Sequence, residues 1–174
     1  APFRLEVEGS ERTKAGVRID GRVLSGLVST GDEVVSLPGN ALSRVEQVAD
    51  SGDGVVSLVL ADRVDVETGD IICTAGAPPE ISDQIAAHSV WLGADPMLPG
   101  RGYVLKLGNQ AVAASISELK HKINVETHEH QAAKTLEKNE LAFCNLSLSK
   151  PLVFDPYKDN RELGSFILID RLTN

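Results

Sequence analysis

The chain has 174 residues and a formal net charge of −8, enough length for one ordinary domain or two small ones. A field of that sign repels phosphate backbones and disfavours a nucleic-acid partner. Hydrophobic residues make up 42% and aromatics only 4%, so the core has to be built from Val, Leu, Ile and Ala, a composition that favours strands over disorder.

Short strand signals then follow one another. Leu5-Glu6-Val7 and Val17-Arg18-Ile19 alternate, and residues 21–28 read as a strand with glycines at its bends. Thr30-Gly31-Asp32-Glu33 predicts a turn, Val34-Val35-Ser36-Leu37 a strand, and Pro38-Gly39-Asn40 another turn. Residues 43–48 alternate, Ser51-Gly52-Asp53-Gly54 turns, 55–60 is a further strand, and 66–73 ends the series. Such spacing means a small sandwich or barrel. Ala75-Gly76-Ala77-Pro78-Pro79 is the domain boundary, a stiff Pro-containing linker. Beyond it, 84–92, 103–107, 111–119, 141–148, 150–154 and 165–170 read as strands, with a tight turn before 150. Across 111–119, Val112, Ala114 and Ile116 share one face and Ala113, Ser115 and Ser117 the other. The composition of 130–139 fits a short helix or a long loop. The expected domains are therefore 1–77 and 78–174, both all-β.

Chemistry-bearing motifs are sparse. There is no Gly-x-x-x-x-Gly-Lys-Ser/Thr, no Gly-x-Gly-x-x-Gly after a strand, no Gly-x-Ser-x-Gly elbow and no HExxH. Cys73 and Cys144 sit in apolar runs without a CxxC partner, which predicts buried free thiols in a reducing cytoplasm and no structural zinc. His128 and His130 would share a face of an extended segment near His121, but no second ligand pair has defined spacing, so the segment reads as polar loop. Asp62, Asp65, Glu67 and Asp70 read as a solvated turn, with hard-cation binding as the alternative. Residues 155–161, Asp-Pro-Tyr-Lys-Asp-Asn-Arg, form a charged turn. Candidate partner contacts are Asp155, Tyr157, Asp159, Asn160 and Arg161 there, with His121, His128 and His130; no catalytic, cofactor-binding or metal residue is assigned. No apolar run is long enough to span a bilayer, and no cationic-then-apolar leader opens the chain. The start at Ala1-Pro2-Phe3, without Met, reads as a piece of a longer chain.

The stretch Gly21-x-Val-x-Ser-Gly-x-Val-x-x-Gly-Asp-Glu-Val34, followed by Val66-x-x-Gly-Asp70, resembles the second domain of translation-factor GTPases. Asp83-Gln84-x-Ala-Ala-His88-x-Val-Trp91, Leu98-Pro-Gly-Arg-x-Tyr103, Ala132-Ala-Lys-Thr-Leu136 and Phe154-Asp-Pro-Tyr-x-Asp-Asn-Arg-Glu162 resemble one branch, the large GTP-hydrolysing subunit of bacterial ATP sulfurylase and its nodulation-related relatives. The resemblance implies two consecutive small β-barrels, the second and third domains of the translation-factor type, with the last strand of the second missing. It implies a cytoplasmic enzyme making adenylylsulfate and pyrophosphate from ATP and sulfate, and in some relatives a fused adenylylsulfate kinase. GTP and Mg would belong to a P-loop domain placed before residue 1. The partners would be that GTPase domain and a small catalytic subunit. The alternative implied by the superfamily is an RNA-binding barrel module.

Overall fold

In the computed structural model, residues 1–14, 16–90, 98, 101–123, 130–131 and 141–170 are described. The strands are β1 (Arg4–Arg12), β2 (Val17–Ser25), β3 (Glu33–Leu37), β4 (Ala41–Asp50), β5 (Val55–Leu60), β6 (Ile71–Thr74), β7 (Glu80–Val90), β8 (Gly102–Leu107), β9 (Gln110–Ile123), β10 (His130–Gln131), β11 (Leu141–Phe154) and β12 (Ile167–Asp170). By contact the chain forms two compact units that are not continuous stretches. One is Ala1–Ile81 with Leu107–Gln110 and Leu152–Phe166; the other is Ser82–Lys106, Ala111–Pro151 and Ile167–Asn174.

In the first unit, β1 to β6 close into a barrel in the order β1-β2-β5-β4-β3-β6, with β6 returning to β1. Alternation supplies the interior. Val17 and Ile19 from β2, and Val56, Leu58 and Leu60 from β5, point inward and pack with Phe3, Leu5, Val7, Val34, Val45 and Ile72. Gly21 lies where β2 crosses the side chain of Leu5 and the carbonyl of Glu6, and a Cβ there would collide with both. Glycine in this strand therefore answers a close approach, which is the usual reason for one inside a sheet.

β1 does not follow simple in-and-out burial. Arg4, Leu5, Glu6 and Val7 are all buried. Leu5 and Val7 enter the barrel core. Arg4 and Glu6 are covered on the other face by the two later segments of the same unit, meeting Asp155 and the Asn109 amide. Residues 66–70 are not strand: Asp70 Oδ2 accepts from the Glu67 amide (2.9 Å) across a turn at Thr68-Gly69, and β6 begins at Ile71.

In the second unit the strands run β12-β8-β9-β11-β7, with β10 paired to β9. Val112, Ala114 and Ile116 are buried, as their alternation requires. The next buried residue is Leu119, out of phase by one. The pairing explains this: Ile116 faces Leu146 and Glu118 faces Asn145, so Ser117 is an extra residue in β9. This β-bulge returns Leu119 to the buried side. β11 is one strand to Phe154, without a turn before 150. Its pairing with β9 ends at Leu148, before Pro151. In the barrel's unit, the Gln110 side-chain amide donates to the Val153 carbonyl (2.9 Å) and accepts from its N–H (3.0 Å), standing in for one residue of a partner strand. No helix among the described residues is long and apolar enough to cross a membrane.

Candidate partner-contact site

Residues 155–164 form a loop whose ends are tied: the Asp155 amide donates to the Leu163 carbonyl (3.0 Å). Pro156 opens a single helical turn, its carbonyl accepting from the amides of Asp159 (2.9 Å) and Asn160 (3.0 Å). Proline suits that position because its fixed φ is helical and its missing N–H would have had no partner. Asn160 Oδ1 then accepts from the Glu162 (3.1 Å) and Leu163 (3.4 Å) amides, which turns the chain back. Gly164 packs against the Tyr157 backbone so closely that a Cβ would lie 2.6 Å from its Cα.

The loop has an inner and an outer side. Asp155 and Asn160 face inward and are buried. The Asp155 carboxylate accepts from Arg4 Nε (2.9 Å), Arg4 Nη2 (3.3 Å) and Asn160 Nδ2 (3.3 Å). Arg4 is only 3% exposed, and its Nη1 donates to the Phe3 carbonyl. Asn160 also donates to Ser25 Oγ (3.2 Å). A charge pair taken out of water at this depth needs such additional hydrogen bonds to offset its desolvation. Tyr157, Lys158, Asp159 and Arg161 are exposed on the outer side. The Arg161 guanidinium lies 5.8 Å from the centre of the Tyr157 ring, at the separation and orientation of a cation–π contact.

Beside the loop, within the same unit, is an open groove of about 560 Å³. Arg4, Asp155 and Asn160 contribute to its lining, with Lys158, Asp159 and the prolines Pro78 and Pro79.

The structure divides the sequence candidates. Asp155 and Asn160 are spent inside the loop, whereas Tyr157, Asp159 and Arg161 remain available to another molecule. His121 lies on β9 opposite Phe143 and His130 on β10 opposite Ile123, with side chains outside the described residues. His128, and the 132–139 part of the segment read as helix or loop, also lie outside them. Three of the four carboxylates at 62–70 have protein partners: Asp62 accepts from Ser43, Asp65 pairs with Arg12, and Asp70 holds the Glu67 amide. Burial raises the Asp70 carboxyl above the ordinary aspartate range. Among the described residues no group of three His, Cys, Asp or Glu is placed to hold a metal ion. Cys73 and Cys144 are both buried, and their thiols lie 3.7 Å from the Val35 and Ala87 carbonyls. Burial pushes Cys73 up to about 11, with nearby Arg4 pulling the other way and Asp155 adding a smaller push.

Sequence reading missed Arg4, Glu6, Ser25 and Gln110. The available signal was a cation and a carboxylate interleaved with Phe3, Leu5 and Val7, too short a run to distinguish a covered outer face from a solvated one.

The family described as GTP-eEF1A C-terminal domain-like matches residues 84–174. The chain belongs to this family. Within it, the chain is 46% identical over 162 residues to the bifunctional enzyme CysN/CysC of Xylella fastidiosa, covering 88% of this chain and 26% of that protein. It is 39% identical to the bifunctional enzyme NodQ of Rhizobium meliloti, covering 99% of this chain and 28% of the relative. Sulfate adenylyltransferase subunit 1 of Aeromonas salmonicida is 34% identical, again along 99% of this chain and 39% of its own length. The chain thus spans well under half the length of these relatives and is homologous to their barrel part, in the translation-factor GTPase superfamily. Sup35 complexed with GDP has the same fold, with a TM-score of 0.83 at 20% identity over 98% of this chain and 45% of that one. The elongation factor SelB of Methanococcus maripaludis gives 0.71 at 19% identity over 89% of this chain and 37% of that one. These likenesses establish the all-β, translation-factor type of architecture expected from the sequence. They also set the Tyr157–Arg161 loop in this family member within the segment that the family description covers.

Proposed function

We propose that these barrels are the non-catalytic part of a sulfate adenylyltransferase GTPase subunit and help couple GTP hydrolysis to adenylylsulfate synthesis from ATP and sulfate. The observation that carries this reading is homology along 99% of the chain to a protein named sulfate adenylyltransferase subunit 1. The chain contains no phosphate-cradling Gly-x-x-x-x-Gly-Lys-Ser/Thr, so GTP and its Mg do not fit these residues and no chemical step is assigned to them. In this reading the nucleotide sits in the subunit's own GTPase domain, and a small catalytic subunit performs adenylyl transfer in the cytoplasm. Switch loops of a GTPase change order on hydrolysis. A closed barrel with a tied surface loop passes such a change on as rigid-body motion, because its packed interior does not deform continuously. Of the candidate contacts, Tyr157, Asp159 and Arg161 are the ones whose exposure suits a partner.

The test is GTP-stimulated adenylylsulfate synthesis by the full-length subunit with its small subunit. Wild type should show synthesis that rises with GTP. The double variant Asp159→Ala with Arg161→Ala should lose much of that stimulation while the small subunit's basal rate is unchanged. Stimulation equal to wild type in the variant would remove this loop from the coupling path. No GTP stimulation in wild type would remove the reading itself.

A further inference from the structure

We infer that the stacked Tyr157–Arg161 pair is a docking anchor that takes a carboxylate side chain of a protein partner; the inference rests on the coupling reading above and names the chemistry of that contact. The pair is built, not incidental. Its two members are four residues apart in the loop, Tyr157 inside the turn that Pro156 opens and Arg161 just beyond it, where Asn160 turns the chain back. The turn is fixed through the Pro156 carbonyl, and the loop's inner side is pinned by Asp155 to Arg4 and by Asn160 to Ser25. Tyr157 is 57% exposed, a large side chain left in water.

Arg161 supplies the specificity. Among the described residues no carboxylate pairs with its guanidinium, which lies over the Tyr157 ring. A cation resting on a ring face keeps its planar N–H fork open at the edge, the geometry that accepts a carboxylate through two parallel hydrogen bonds. The loop holding it is rigid, so little freedom is lost on binding, and Tyr and Arg are the residue types that dominate contact energies in protein interfaces. A phosphate would satisfy the same fork. A nucleic acid would bring many phosphates toward a chain of net charge −8, whereas one carboxylate on a protein surface meets only the local field. The partner is therefore a protein, and its contact group an Asp or Glu.

The experiment is a calorimetric titration of the full-length subunit with the small catalytic subunit at two salt concentrations. Arg161→Ala should weaken binding about tenfold or more, the range of an interface hot spot, and should flatten its salt dependence. Arg161→Lys should recover only part, because an ammonium keeps the charge without the fork. Tyr157→Leu should also weaken binding. Both side chains are exposed, so thermal unfolding should stay at the wild-type midpoint, which separates lost contact from lost fold. Wild-type binding with an unchanged affinity in Arg161→Ala overturns the anchor and leaves the coupling reading standing. Loss of tRNA binding in place of small-subunit binding overturns it in favour of a phosphate ligand. A wild-type subunit that does not bind the small subunit at all overturns the coupling reading and takes the anchor with it.

Discussion

At the residue scale, the barrel's least sequence-legible feature is its buried charge. Arg4 and Asp155 are 151 positions apart, and no local pattern announces that they meet. The pair needs both partners and the surrounding Asn160 and Phe3 contacts. Asp155→Ala would leave the Arg4 guanidinium buried without a counter-charge, and it should destabilise the chain by about 3–5 kcal/mol in equilibrium urea unfolding. Replacing both residues, Arg4→Met with Asp155→Leu, should cost much less, because the desolvation of both charges disappears together with their attraction. A double variant as unstable as Asp155→Ala would mean that the loop is held by the specific geometry of the pair and not by charge balance. The exposed half of the same loop was legible for a simple reason: Pro, Asp and Asn in sequence specify a turn. Which of those polar groups face inward depends on Arg4 and Ser25 and could not be read locally.

At the element scale, alternation located β2, β5 and the first half of β9, since one face of each enters a core. It failed where other rules act. In β1 a second layer buries the face that alternation assigned to water. In β11 a tight turn was expected between 148 and 150, yet one strand continues from Leu141 to Phe154. In β9 the bulge at Ser117 changes phase between Ile116 and Leu119. This bulge makes a deletion experiment discriminating. Removing Ser117 leaves Ile116-Glu118-Leu119, which alternates in register with Leu146-Asn145-Cys144, so the sheet should survive with the loss of one hydrogen bond to the Asn145 carbonyl. Removing Ser115, only two positions earlier, puts Ala114 beside Ile116 and turns one side of the cut to the wrong face. Each large apolar side chain expelled forfeits about 1.5–3 kcal/mol. Circular dichroism melts should therefore show a cooperative transition for the Ser117 deletion and a lost or strongly lowered one for the Ser115 deletion. Equal damage from both would mean that the bulge is required for the sheet's twist.

For the whole molecule, the fold is shared with proteins as different as Sup35 and SelB at about one-fifth identity, so architecture alone does not choose a ligand. Net charge and composition do. The chain carries −8 and seven aromatic residues, counted as Phe 4, Tyr 2 and Trp 1. Non-specific nucleic-acid affinity comes from released counterions and needs clustered Lys and Arg, and single-strand binding needs stacking platforms along a basic groove. In the barrel's unit, Arg4 is committed to Asp155, Arg12 to Asp65, and Arg18 to Glu11 and Asp20. Three of the seven arginines in this unit are thus neutralised by carboxylates, which weakens its attraction for phosphates. Fluorescence anisotropy with labelled tRNA at about 0.15 M salt, a Debye length of roughly 8 Å, should show no saturable binding at micromolar protein. Lowering the salt should raise the signal weakly and without saturation. A saturable curve that weakens steeply with salt would show that a local basic patch overrides the acidic whole, and it would place this chain with the RNA-binding barrels and not with the sulfate-activating ones.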